Sequence, residues 1–394
     1  MPQAANVMSS TPNGPAAATL SRRAVLTASA GLAGAAVLAS GALAQTQPPA
    51  AAPVQPASQW PVRTDWLAKR TEAILEPDLP IVDPHHHLWV RPNYTYLFPD
   101  LLADIGSGHK IHATMFEQAA SMYRADGPEE LKSLGETEFV CGVAAMSDSG
   151  KFGPTRVIAG LVGYVDLRLG ARAKGLLERH IAVSDGRIRG VRNSSTWSDD
   201  PTLKTFAATA PQGLLLDKSF REGFAALIGL DLTFDAWMFQ TQLADVLDLA
   251  HAFPQARIVL NHVGGPVAIG PYAGKRAEAF AAWRDKIKEI AGFPNTYVKL
   301  GGLGMKMPGF DFADKPEPPS SQDLASAWRP YIETCIAAFG PQRAMFESNF
   351  PVDKGSCSYQ VLWNAFKRIA ANYSADEKTA LFSGAAKKAY RLDV

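Results

Sequence analysis

The sequence predicts an α/β protein: a distorted (β/α)8 TIM barrel, one domain with loop insertions at its C-terminal face. Three observations carry this. Short runs rich in Val, Ile, Leu and Phe alternate with longer amphipathic stretches, as in parallel α/β folds. Eight such runs occur between Ile81 and Asn349. Ionisable residues gather at their C-terminal ends, where barrels build their sites.

The predicted strands are, in order, Ile81–Asp83, Ile111–Glu117, Val157–Leu167, Ile188–Asn193, Leu230–Trp237, Arg257–His262, Thr296–Gly301 and Ala344–Asn349. Helices are expected over Gly175–His180, Gln242–Phe253, Ala277–Ala291, Ala325–Phe339 and Tyr359–Ala371. The last carries Leu362, Ala365, Phe366 and Ile369 on one face. The rival is a doubly wound open sheet, but no G-x-G-x-x-G follows the first strand. Residues 118–156 are expected as a helix-and-loop insertion after the second strand. The Pro- and Gly-rich residues 305–320 follow the seventh as a rim or lid.

The N-terminal part reads differently. Ser21-Arg22-Arg23 precedes a weakly apolar stretch to about Leu43, and Ala42-Leu43-Ala44 is a small-x-small cleavage site. Residues 1–44 are therefore expected to be a twin-arginine signal peptide. The stretch is too short and too rich in Ala and Gly for a good membrane anchor. The mature protein would be periplasmic, delivered folded by the twin-arginine machinery, with no stable anchor after cleavage. Residues 45–78 form a Pro/Ala-rich linker and extension, and 79–394 the barrel.

With 39 Lys and Arg against 38 Asp and Glu, the chain has no charge excess to suit nucleic acid. Its three cysteines, Cys141, Cys335 and Cys357, are irregularly spaced and read as free thiols. Partners beyond a small-molecule substrate and the export machinery are not legible, although barrels commonly form homodimers.

Histidine is scarce, with 8 in the chain, yet three stand together in IVDPHHHLW. Residues two apart on a strand share a face, so His85 and His87 present parallel imidazoles and His86 points away, toward a helix. Asn261-His262 closes the sixth strand before the Gly264-Gly265-Pro266 turn. The three imidazoles can converge on a divalent metal or on a substrate oxyanion. Glu117, Asp166, Arg192, Asn193, Asp235, Lys299, Glu347, Asn349 and Asp353 fall at the same level. Each of them can equally be a buried structural pair.

Together, IVDPHHHLW, IVLNHVGGP, YVKLGGLGM and FESNFPVDK resemble the amidohydrolase superfamily, in its amidohydrolase-related branch of sugar-lactone and dicarboxylate-lactone hydrolases. The resemblance spans about Leu79 to Leu392. It implies hydrolysis at the barrel mouth, with His85, His87 and His262 holding zinc or, alternatively, manganese. Some lactonases of the branch work without metal, so metal-free operation is also open. One departure matters: the branch usually has aspartate where this chain has Asn349, and an amide is no base near neutral pH. Asp353 is the first substitute for the base, Glu117 the second and Glu347 the third. Lys299 is expected to assist catalysis, and Arg192, His262, Tyr123 and Arg124 to bind substrate. Lactone opening is the leading expectation. A metal-dependent decarboxylase and a non-catalytic binding barrel are the alternatives.

Overall fold

The structure, a computed structural model, describes residues 62–204 and 210–394. The expected signal peptide, its expected cleavage site and the expected linker to Pro61 lie outside the described residues. Eight parallel strands form one sheet in sequence order: β1 (Ile81–His86), β2 (Ile111–Glu117), β3 (Arg156–Gly163), β4 (Ile188–Ser194), β5 (Thr233–Trp237), β6 (Ile258–Leu260), β7 (Thr296–Leu300) and β8 (Ala344–Phe346). Strands buried on both faces read as unbroken apolar runs, which is why segments such as RVIAGLVG and TYVKL stood out. The last seam is closed just beyond β8, where Asn349 N donates to His85 O at 2.9 Å and His87 N to Phe350 O at 2.7 Å. Register shifts within β1, between β2 and β3 and between β3 and β4 give the barrel its distortion.

Each strand is followed by a helix: α1 (Phe98–Ile105), α2 (Leu134–Asp148), α3 (Ala173–Val183), α4 (Lys218–Gly229), α5 (Leu243–Ala252), α6 (Arg276–Ala291), α7 (Ser321–Phe339) and α8 (Tyr359–Ile369). Two of these, α1 and α4, were absent from the predicted helices, and α2 was expected only as part of a helix-and-loop insertion. The stretch read as an insertion after the second strand is α2 with its leading loop. Its buried face includes Gly135, Thr137 and Ser147 beside Leu134, Val140 and Val143, so no clean apolar stripe marks it. The main core lies between strands and helices, and a smaller one fills the barrel.

Two terminal segments complete the fold. Residues 62–78, expected as linker and extension, run along the barrel flank. Trp66 is buried and its Nε1 donates to the carbonyls of Lys315 and Pro316, at 3.0 and 3.1 Å, and Arg70 Nε donates to Pro318 O at 3.3 Å. The loop after β7 is thereby pinned as a rim. At the other end, the short helix Ala385–Tyr390 packs into the barrel against Val82, Met115, Val259 and Met345. Tyr390, fully buried, donates its hydroxyl to Asp235 Oδ2 at 2.6 Å. All three cysteines are free. No helix among the described residues is long and apolar enough to cross a membrane.

The floor helix sets a test. Replacing Tyr390 with Ala should cost about 3–5 kcal/mol of stability, as for other buried aromatics. Tyr390→Phe should cost about 1.5–3 kcal/mol, because Asp235 loses only a hydrogen bond. Urea unfolding of both variants measures this, and an unchanged stability of Tyr390→Phe would remove the role assigned to the hydroxyl.

Candidate active site

Seven of the eight strands, all except β3, deliver a polar side chain at or just past their C-terminal ends to one buried cluster. Beneath the mouth lies Lys299 of β7, fully buried and pointing inward. Its Nζ is 2.7 Å from Glu117 Oε2 of β2 and 2.8 Å from Asp235 Oδ2 of β5. Burial alone would lower its pKa, but these two carboxylates overcome that and raise it, so Lys299 is an ammonium. Burial, with Asp235 beside it, pushes the Glu117 carboxyl up, against the pull of Lys299 and Arg192. Asn261 Nδ2 adds a bond to Asp235 Oδ2 at 3.1 Å.

Above this layer stand the histidines. His85 and His262 have ring centroids 4.7 Å apart, and His85 and His87 4.9 Å apart. His87 and His262 are tethered through Nδ1, and His85 Nδ1 stands between Glu347 and Lys299. His85 Nδ1 is 2.6 Å from Glu347 Oε2, His262 Nδ1 is 2.7 Å from Glu347 Oε1, and His87 Nδ1 is 2.8 Å from Glu117 O. Burial holds all three well below or below the ordinary imidazole pKa, so they are neutral. A neutral ring has one N–H, and the acceptors at His87 and His262 place it on Nδ1 in those two rings. The Nε2 atoms of His85 and His87 lie 3.2 Å apart. A tetrahedral ion at roughly 2.0–2.1 Å from each of two nitrogens needs them about 3.3 Å apart. The donor set therefore fits a divalent cation, with carboxylate and carbonyl supports behind the rings. His85, His262 and Glu347 also keep one donor atom each within 4.8 Å.

Glycine makes the room. A Cβ on Gly301 would lie 2.5 Å from Glu347 Cγ, and one on Gly302, at φ +68°, would lie 2.4 Å from the His262 ring. The LGG run after β7 is thus explained by side chains from two other strands. His262 and Asn349 themselves have left-handed backbones, at φ 53° and 54°.

Arg192 of β4 lies across the mouth. Its Nη1 is 3.5 Å from His85 Nε2, its Nε 3.3 Å from Glu117 Oε1, and its Nη2 donates to Gln118 O. Tyr123 comes within reach of Arg192 and Glu136, with Gln118 as hydrogen-bond partner. Arg124 does not join: it pairs with Glu138 at the surface. Asp353 is fully buried, but both oxygens are engaged, with Asn349 Nδ2 at 2.8 Å and Gly304 N at 3.0 Å. Burial raises its pKa to about 8. Asp166 and Asn193 serve turns: Asp166 caps Arg168 N, and Asn193 bonds Val165 O and Leu167 N. His86 does not meet a helix as expected. Its Nε2 bonds Thr114 Oγ1 of β2 at 2.9 Å and its ring meets Phe116. The loops beyond β4 to β7 add an apolar cluster of Leu203, Phe239, Val267 and Met307. Trp237 packs on it, 4.8 Å from the His262 ring.

A barrel with imidazoles from β1 and β6, and a buried lysine below them, can be set beside known proteins. The sequence model of the amidohydrolase family matches residues 82–392. The chain belongs to the amidohydrolase family. This amidohydrolase is 34% identical over 337 residues to an uncharacterized protein of Sinorhizobium fredii, covering 80% of this chain and 99% of that one. It is 29% identical over 325 residues to L-fucono-1,5-lactonase of Burkholderia multivorans, covering 79% and 96%. Its fold resembles the crystal structure of an amidohydrolase from Burkholderia multivorans with bound zinc. The TM-score is 0.59 at 27% identity, covering 79% of this chain and 99% of the other.

Sequence reasoning underrated Glu347 and missed Glu136. The first was one carboxylate among several near FESN, and its partners come from other strands. Glu136, on α2, is fully buried. Its Oε1 accepts from Ala119 N at 3.0 Å and Ser121 N at 2.8 Å, holding a loop with left-handed Ala120 and Met122. Its Oε2 has no hydrogen-bond partner. Burial, opposed by those two bonds, raises its pKa from 4.5 to about 7. The native state thus keeps a proton that the unfolded chain releases between these values, so stability falls as pH rises across that window. The contribution is on the order of 3 kcal/mol, at about 1.4 kcal/mol per unit. Glu136→Gln should show a shallower fall in urea midpoint from about pH 5 to about pH 7.5. Parallel curves for the two proteins would refute it.

Proposed function

We propose that this amidohydrolase opens a small lactone, a cyclic ester, at the barrel mouth. One observation carries the reading: three buried, neutral imidazoles gather at the mouth, with His85 and His87 Nε2 3.2 Å apart beside Arg192 and the His262 ring 4.7 Å from that of His85. The likeness to an L-fucono-1,5-lactonase supports it. A divalent cation, zinc first and manganese second, held by His85, His87 and His262, would supply Lewis-acid polarisation of the ester carbonyl.

The protein's own groups supply the rest. Arg192 holds an oxygen of the substrate, by its fork onto a carboxylate or a hydroxyl, with Tyr123 beside it. Lys299 steadies Glu117 and Asp235 below. With Asp353 engaged on both oxygens, water deprotonation is assigned to Glu117, whose Oε1 has no hydrogen bond and whose raised proton affinity suits a base near neutral pH. Asp353 then positions Asn349 and the turn at Gly304. The apolar cluster at Trp237 suits a substrate with one apolar edge and one oxygen-rich edge. The chain enters the periplasm through its twin-arginine leader.

Two measurements test this. Purified residues 45–394 should release acid from one or more of a panel of sugar and dicarboxylate lactones, and His262→Ala should lose at least 100-fold, on the scale of losing one electrostatic stabiliser. Chelation should lower turnover, and zinc should restore it. No turnover on any lactone by the folded protein, or CO2 release from carboxylated substrates instead, would overturn the reading. Separately, the secreted protein should begin at Gln45, and replacing Arg22 and Arg23 with Lys should hold it in the cytoplasm. Export without cleavage or without those arginines would refute that part.

A further inference from the structure

We propose that Arg91 is a specificity-determining residue of the mouth: stacked on Trp89 beside His87, it takes a carboxylate carried by the substrate, so the preferred lactone is a lactone acid. The inference deepens the lactone reading and rests on it only for the kinetic arm of its test.

The chain directly after β1 builds this group. A two-stranded hairpin follows the histidines, with Trp89–Arg91 antiparallel to Tyr94–Tyr96. Residues two apart on an extended chain share a side, and the contacts follow that spacing. The Trp89 ring stacks on His87, with centroids 5.5 Å apart and planes 21° from parallel. Arg91 Cζ lies 3.8 Å from the centroid of the same indole. Val90, between them, turns outward and is 57% exposed. Trp89 itself is buried, with Tyr94 edge-on at 6.4 Å, so packing fixes the platform.

The guanidinium is held but not spent. A cation–π contact uses its charge and leaves its N–H fork for another partner. Among the described residues the half-buried Arg91 guanidinium makes no hydrogen bond and no ion pair. The carboxylate whose charge reaches it is Glu136. That residue stays with its own loop, through Ala119 N and Ser121 N, and its Oε2 bonds nothing. Arg192 differs. Its charge also reaches Glu136, but its fork is already taken by Glu117 Oε1 at 3.3 Å and by Gln118 O.

An anion on the substrate therefore finds its unspent partner at Arg91. A carboxylate fits the fork with two parallel bonds, and such charge-assisted bonds are about twice as strong as neutral ones. A sugar hydroxyl offers no charge and a single oxygen. The substrate then spans the mouth, with its ester at the histidines and its carboxylate at the hairpin.

The probes are tetrahydrofuran-2-carboxylate and tetrahydrofuran-2-carboxamide, one ring with and without the charge and with no ester to open. Calorimetric titration of the mature protein should show the acid bound about 10- to 100-fold more tightly than the amide, the range for hydrogen bonds to a charged group. In Arg91→Met that difference should be lost. Arg91→Lys keeps the charge without the fork and should fall between. Both variants change a half-buried side chain at the hairpin, and a thermal melt checks that they fold. In the kinetic arm, 5-oxotetrahydrofuran-2-carboxylate and its carboxamide are compared as lactones. Arg91→Met should raise KM for the acid far more than for the amide. Equal binding of acid and amide by the unmodified protein, or no binding of either, would overturn the proposal. So would a preference for the acid that survives in Arg91→Met, which would place the carboxylate elsewhere. An acid preference that Arg91→Met abolishes, in a protein that opens no lactone, would sink the lactone reading and leave this subsite standing.

Discussion

Lys299 carries a full charge while fully buried. An unpaired ammonium there would cost several kcal/mol, and the surrounding structure is arranged around that cost. Glu117 from β2 and Asp235 from β5 meet it from different strands. Asn261 and Tyr390 in turn bond Asp235, and Arg192 faces Glu117. The Tyr390 hydroxyl comes from the floor helix, so the last residues of the chain take part in the same network as the mouth. Strands far apart in sequence are thus held by one set of charges, and the histidines rest on top of it. Burial keeps the imidazoles above it uncharged, helped by the positive charges of Lys299 and Arg192.

The rim follows a different logic. The loops that border the mouth are fixed by contacts from elsewhere in the chain, not by their own regular structure. Glu136, on the helix behind, clamps the loop after β2, whose carbonyl at Gln118 takes Arg192. The segment after residue 62 clamps the loop after β7 through Trp66 and Arg70. Long loops at a barrel mouth pay for adaptability with order, and here two buried anchors restore that order. The apolar cluster beyond β4 to β7 then forms one side of the opening, with the guanidinium of Arg192 on another.

Alternation along β1, with His85 and His87 on one face and His86 on the other, was legible because a strand has a fixed period of two. His262 was legible because it ends an apolar run at a glycine turn. The partners of the carboxylates were not legible. Asp353, Glu117 and Glu347 are equal as letters in a sequence. They differ in what meets them: a backbone amide and an asparagine for the first, a lysine and an arginine for the second, two histidines for the third. Arg124 was drawn in by its neighbour Tyr123, but the chain turns between them and sends it to Glu138.

The sequence by itself determined the eight-strand order, the family, and the level at which the polar groups emerge, because each of these depends on local periodicity and on motifs of contiguous residues. Only the tertiary structure decided which nitrogen of each histidine faces the mouth, which carboxylate supports it, and which side chains the glycines after β7 make room for. Those are properties of pairs and triples joined across strands, at separations such as that of Glu347 from His262. Hydrogen bonds over that distance in sequence are chosen by the closure of the barrel, which no local pattern encodes.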